Sequence, residues 1–285
     1  MRERQNGKAR RLGPGWTGLL AFALLFPSLA AATSPSERYK GEVFPEVRVT
    51  RDILYRSQRG VGRDGLGLRL DLYEPAGDAS KVRPLMIWAH GGGFYRGGKA
   101  DKGMVELAEH FAKCGFVCAS IEYRLLLRSG KEWLETGNLR RAAAAGAEDV
   151  LAALGYLVAE AGRRRIDPSR VILGGGSAGA FISLTAASSG KNGWGGATVR
   201  AVIDFWGGLV DASGMKPGFP PLLIIHGTRD KTVPFDMARR LAARAKEAGV
   251  ACVLRPVEGE GHAPWEHMKT YLAGVHGFLD QLRLY

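Results

Sequence analysis

Apolar and polar positions change their spacing several times along the chain. Residues 46–55 alternate through Val47, Val49 and Ile53, and residues 66–73 alternate again through Leu66, Leu68, Leu70 and Leu72. A glycine-rich stretch, Gly60 to Gly65, separates them, and the pair predicts an antiparallel hairpin. Residues 84–89 are almost uniformly apolar, as in a parallel strand buried on both faces. From there helical and strand spacing take turns. Helices are predicted over 100–113, 138–160, 180–188, 235–248 and 265–284, and strands over 116–121, 171–173, 199–205, 222–226 and 251–257. Alternation of this kind predicts an α/β protein, a mostly parallel central sheet wrapped by helices on both faces. No internal repeat and no second core is visible, so residues 46–285 are expected to form one domain.

The first 45 residues are set apart by composition. Arg2, Arg4, Lys8, Arg10 and Arg11 face one acid, Glu3, and an apolar stretch from Trp16 to Leu29 leads into Ala30-Ala31-Ala32. Basic, apolar and small residues in that order predict a secretory signal over 1–32, cleaved after Ala32, and therefore an exported protein without stable membrane insertion. The stretch is shorter than the roughly 20 residues of a membrane span; an uncleaved anchor is the alternative. Residues 33–45 are polar, carry two prolines and read as a linker. The formal charge of +12 raises the question of an acidic partner. The basic residues beyond the leader are scattered and not interleaved with aromatics, so no nucleic-acid partner is expected. Cys114, Cys118 and Cys252 have neither the count of a disulfide framework nor the spacing of a zinc site.

Chemistry-bearing residues gather where predicted strands end. Gly175-Gly176-Ser177-Ala178-Gly179 fits G-x-S-x-G between a strand and a helix, the setting in which a serine is presented on a sharp turn. A hydroxyl needs a base, a group to orient the base, and donors for the oxyanion. His90-Gly91-Gly92-Gly93-Phe94 follows the strand at 84–89, and the amides of Gly92 and Gly93, with that of Ala178, are candidate oxyanion donors. Asp230, just past the strand at 222–226, is the candidate acid; Asp236, inside the next helix, is the weaker one. His262, after the last strand, is the candidate base. His267 and His276 fall in the closing helix, and His90 and His226 suit buried structural roles. The order serine, aspartate, histidine is that of α/β-hydrolases. The chemistry requires no metal and no organic cofactor.

Asp71-Leu-Tyr-Glu-Pro75, His90-Gly-Gly-Gly-Phe94, Ile121-Glu-Tyr-Arg-Leu125, His226-Gly-Thr-Arg-Asp230 and Gly261-His262 together resemble the HGGG-type esterases of the α/β-hydrolase superfamily. The resemblance implies Ser177 as nucleophile, His262 as base, Asp230 as its orienter and Gly92, Gly93 and Ala178 as oxyanion donors. Gly176 stands where hormone-sensitive-lipase-like members usually have an acid, and Leu126-Leu127-Arg128 where they have alanine, proline and glutamate. The chain is more similar to small secreted bacterial carboxylesterases, including feruloyl and acetyl-xylan esterases. There is no room for a helical cap between the strands near Trp206 and Leu222, which implies an open site for a small or polymer-linked ester. Phe94, Tyr95, Trp206 and Trp265 are candidate substrate contacts, with core packing the alternative for each. Residues 128–137, with Trp133, are a candidate flap. Two rival readings remain. A prolyl-oligopeptidase-type serine peptidase would need a large propeller, and a non-catalytic binding protein of this fold would be expected to lack one of the three residues.

Overall fold

The computed structural model describes residues 37–62, 65–132, 135–189 and 196–284. The proposed signal segment and Trp133 lie outside them. The described residues belong to one compact unit, Thr33–Tyr285.

The hairpin is present as β1, Val47–Ser57, and β2, Gly67–Pro75, paired antiparallel. Next come β3, Arg83–Ala89, α1, Lys102–Lys113, and β4, Val117–Ile121. The long helix α2, Thr136–Ala159, and the single turn α3, Ala161–Arg164, lead to β5, Ile166–Gly176, and α4, Ala178–Ser189. The rest is β6, Val199–Phe205; β7, Leu222–Gly227; α5, Phe235–Glu247; β8, Cys252–Val257; and α6, Met268–Gln281. The eight strands lie in the order β1-β2-β4-β3-β5-β6-β7-β8. The two pairings that involve β2 are antiparallel and all others are parallel.

Alternation along each inner strand divides the core in two. Leu85, Ile87 and Ala89 of β3 face the layer that holds α2, α4 and α5, while Met86 and Trp88 face that of α1 and α6. Leu222 and Ile224 of β7 point to the first layer, Leu223 and Ile225 to the second. Period-two placement on a sheet covered on both sides is what makes these strands read as continuous apolar runs. By length and composition α2 is apolar enough to cross a membrane, yet 56% of its apolar window is buried inside the protein. Gly146 lets it lie against α4, since a Cβ there would sit 2.6 Å from Ile182.

Three expectations change. First, β5 does not end at Leu173. It carries on through Gly174, Gly175 and Gly176, pairing with β3 and β6 on either side. Second, the closing helix starts as a 3-10 turn, Trp265–His267, before α6 begins. Third, residues 37–44 have no regular structure but are docked: Tyr39 is buried, its amide donates to the Cys114 carbonyl at 2.8 Å, and Arg38 is paired with Asp78. The three cysteines are free thiols, two buried and Cys252 half-buried.

Candidate active site

Each candidate side chain sits just past the carboxyl end of a parallel strand, the edge where sheets of this type hold their sites. At the end of β5 the chain turns through Ser177, whose φ of +53° is left-handed and costs a non-glycine residue about 1–3 kcal/mol. The turn is held from both sides. The Ser177 amide donates to the Phe205 carbonyl at 2.9 Å, and the Ala180 and Phe181 amides donate back to the Ser177 carbonyl. The flanking glycines are needed for space. A Cβ on Gly174 would lie 2.4 Å from the Trp88 ring, and one on Gly179 would lie 2.0 Å from the Ala89 carbonyl oxygen. That close approach to β3 sets the serine beside the loop that follows β3.

The structure brings Ser177, His262 and Asp230 together. His262 Nε2 is 2.9 Å from Ser177 Oγ, and His262 Nδ1 is 2.7 Å from Asp230 Oδ2. Asp230 Oδ1 accepts the amides of Thr232 at 2.8 Å and Val233 at 2.9 Å. Its Oδ2 also lies 3.3 Å from Nε2 of the fully buried His226. Burial alone would push the Asp230 pKa up. The hydrogen bonds from His226 and His262 outweigh it and hold the carboxyl well below the usual range, so it is ionised. An ionised carboxylate only accepts, so His262 Nδ1 donates to it and the Nε2 lone pair faces the serine hydroxyl. The histidine loop is laced to the acid loop: Arg229 N–H donates to the Glu260 carbonyl, and Gly259 N–H to Thr228 Oγ1. Asp236 is elsewhere, exposed and paired with Arg240. His226 has the structural role expected of it, with Nε2 2.8 Å from the Val233 carbonyl, and it also reaches Asp230, four residues on in the turn after β7.

The loop after β3 closes the other side. Gly92 has φ +108°, and a Cβ there would lie 2.1 Å from the Arg96 carbonyl oxygen, so only glycine fits. A Cβ on Gly91 would stand 3.2 Å from the Gly176 carbonyl oxygen, which places this loop against the serine turn. His90 supports it from below. Its ring stacks on Tyr123 with centroids 4.3 Å apart, and the Tyr123 hydroxyl donates to the His90 carbonyl at 2.9 Å. Farther along, the Ser120 hydroxyl donates to the Lys99 carbonyl, and the Lys99 ammonium bridges Asp71 at 2.7 Å and Asp52 at 2.8 Å. Asp71 and Tyr123, picked out by their motifs, therefore brace the glycine loop from a distance.

Serine, histidine and the glycine loop open on a cleft of ≈ 620 Å³. Gly92, Gly93 and Ala178 line it, as do Phe94, Tyr95, Trp206 and Trp265. Phe94 and Trp206 are only 2% and 1% exposed, so these two rings belong to core and wall at once. Trp265 meets Trp206 edge-on at 4.7 Å and packs over Gly103 of α1. Between β6 and β7 residues 206–221 hold only one 3-10 turn, Ala212–Gly214, and no cap covers the cleft from there. Gly130, in the candidate flap, borders the cleft near Tyr95.

A family model described as BD-FAE matches residues 70–217, from β2 through the glycine loop and Ser177 to a point before β7. The chain belongs to the BD-FAE family. This is a family of esterase-like α/β-hydrolases, and the match stops short of Asp230 and His262. The BD-FAE member shares its fold with esterase 2 of Thermogutta terrifontis. The form phosphoramylated by tabun is 24% identical, with a TM-score of 0.67 over 84% of this chain and 96% of that one. The propionate-bound form is 23% identical, with a TM-score of 0.65 over 84% and 95%. Among curated proteins, the non-reducing polyketide synthase pkbA of Emericella nidulans is 32% identical over 126 residues, which are 44% of this chain and 5% of that protein. The BD-FAE chain thus spans a small fraction of that relative's length.

Proposed function

We propose that this BD-FAE member is a serine carboxylesterase working through an acyl-enzyme on Ser177. The observation that carries the reading is the relay Ser177 Oγ, His262 and Asp230, at 2.9 and 2.7 Å, opening on a cleft beside a glycine loop. His262 Nε2 takes the Ser177 proton as Oγ bonds to the ester carbonyl carbon, and Asp230 steadies the imidazolium. The oxyanion faces the amides of Gly92, Gly93 and Ala178. Collapse breaks the bond to the alcohol oxygen, which leaves with the proton from His262. Water, deprotonated by the same nitrogen, then attacks the acyl carbon; the bond to Ser177 Oγ breaks, Oγ takes back the proton from His262, and the carboxylic acid leaves. The donor set supplies every proton that moves, so the scheme uses no cofactor.

The substrate proposed is a short-chain acyl or hydroxycinnamoyl ester of a bulky or polymeric alcohol, such as acetyl or feruloyl groups on plant polysaccharide. An uncapped cleft supports this, since the alcohol can extend into solvent while the acyl group meets Phe94, Tyr95, Trp206 and Trp265. Thermogutta esterase 2 has been seen with propionate and with butyrate bound. Export, with cleavage after Ala32, is proposed from the order of residues in the leader.

The test is hydrolysis of p-nitrophenyl acetate, butyrate and longer esters, of feruloyl esters and acetylated xylan, and of a proline amide. Turnover of the short esters is expected. None on acetate or butyrate sinks the proposal, and preference for the amide replaces it with a peptidase. Ser177→Ala is expected to lower kcat about 10⁶-fold. Asp230→Asn, which forces the wrong imidazole tautomer, is expected to cost about 10⁴-fold. Asp236→Asn is expected to leave turnover unchanged.

A further inference from the structure

On the face of the sheet that carries α1 and α6, His110, Cys114 and His276 converge. His110 Nε2 and His276 Nε2 are 2.8 Å apart, and Cys114 Sγ lies 3.7 Å from the first and 3.8 Å from the second. His110 and Cys114 stand four residues apart, one turn along α1 and its C-cap, and His276 comes across from α6. The outer nitrogens are already committed. His110 Nδ1 lies 2.8 Å from Glu42 Oε1, and His276 Nδ1 lies 3.1 Å from the Tyr39 carbonyl oxygen. A carbonyl oxygen and an ionised carboxylate only accept, so both Nδ1 atoms carry the proton. The two Nε2 atoms then face each other across 2.8 Å, an arrangement relieved by a proton on one ring or by a metal ion between the two.

We propose that His110, Cys114 and His276 bind a transition metal of the zinc class. A tetrahedral ion with Zn–N of about 2.0–2.1 Å and Zn–S of about 2.3 Å separates two nitrogens by about 3.3 Å and sulfur from nitrogen by about 3.6 Å. The sulfur is therefore already in place, and the imidazoles need to part by about half an ångström. Imidazole ligands held from behind by a carboxylate and by a backbone carbonyl are the usual supports of such an ion, because they fix the tautomer and the ring direction. Two imidazoles and a thiolate select zinc or copper(I) over magnesium or calcium. On binding, the Cys114 S–H bond breaks, sulfur bonds to the metal and one proton goes to solvent. Water fills the fourth position. Cys114 is fully buried, whereas the His110 side chain is 18% exposed, which gives the ion a way in. Bound there, it ties α1, α6 and, through Glu42 and Tyr39, the docked segment 37–44 into one unit, a structural role independent of Ser177.

The experiment is titration of the full chain, stripped with a chelator, with Co²⁺ as the spectroscopic probe and with Zn²⁺. One equivalent is expected to produce a near-ultraviolet thiolate-to-cobalt band and release one proton. Zn²⁺ at about a hundredfold excess over its Kd is expected to raise the melting midpoint by about 5 °C or more. Cys114→Ser and His276→Gln are expected to lose the band, while Cys252→Ser and Ser177→Ala keep it. In the wild type, Zn²⁺ is expected to shield Cys114 from alkylation, a readout that needs no variant to fold. No band, no shielding and no thermal shift would overturn the proposal, as would a band that survives in folded Cys114→Ser.

Discussion

Asp204 is buried at the end of β6, where its Oδ1 accepts the Gly207 amide at 2.7 Å. Burial pushes its pKa up to about 6, against the pull of His226 and of that amide. An acid whose native pKa lies above its unfolded value favours folding while it is protonated. Its contribution is full below about pH 4 and fades as the pH rises through about 6. Asp204→Asn keeps the acceptor for Gly207 and cannot ionise. The variant is therefore expected to match the wild type near pH 4 and exceed it in stability by about 1–3 kcal/mol near pH 8. Urea denaturation at the two pH values reads this directly, and a difference constant with pH would refute it. At this scale the sequence spoke where side-chain type and position together imply a task. Ser177, Asp230 and His262 each stand just past a strand. Asp204 and His226 stand at strand ends too, but their burial follows from the layers packed on the sheet, and the reach of His226 to Asp230, four residues on, from the turn that follows β7. Residue spacing does not encode that burial.

The glycines around the nucleophile make the same point for whole elements. Three in a row suggest a break, because glycine weakens strands. Here β5 runs through them because Trp88 and the β3 backbone lie too close for any side chain. A Cβ on Gly179 meets a backbone carbonyl, and one on Gly174 meets an aromatic ring. Gly174→Ala is thus expected to cost about 1–3 kcal/mol and Gly179→Ala more, since backbone yields less than a ring. Gly155, on α2 with nothing within 4 Å of its Cβ position, is the control. Gly155→Ala is expected to add about 0.5–1 kcal/mol. Thermal melts of the three variants check the order. Spacing sufficed for the hairpin and the helices, where a two- or near-four-residue period marks the buried face. It failed for residues 37–44, whose docking rests on a few specific bonds, and it is silent on the approach of His276 to Cys114, which comes about only when α6 folds back over α1.

For the whole molecule, the alternation of strand and helix and the order of serine, aspartate and histidine were enough to identify the fold. The excess of basic residues said less, because many are committed internally. Arg83 is fully buried against Glu74, Arg124 bonds to Asp149 and Glu148, and Arg38 to Asp78. The short link between β6 and β7 has a consequence for timing. In enzymes that close over their substrate, opening the lid to let product go often sets the pace. With only residues 206–221 in that link and one 3-10 turn among them, no such gate stands there. On the proposed mechanism the alcohol then departs straight into solvent, and we expect the slower step to be water's attack on an acyl-enzyme that is the same whichever alcohol was lost. Esters sharing one acyl group but differing in their alcohol are expected to converge on a single kcat at saturation while differing in KM. Steady-state rates across acetyl esters of small and polymeric alcohols measure it, and a kcat that varies with the alcohol would place the bottleneck at acylation or alcohol departure instead.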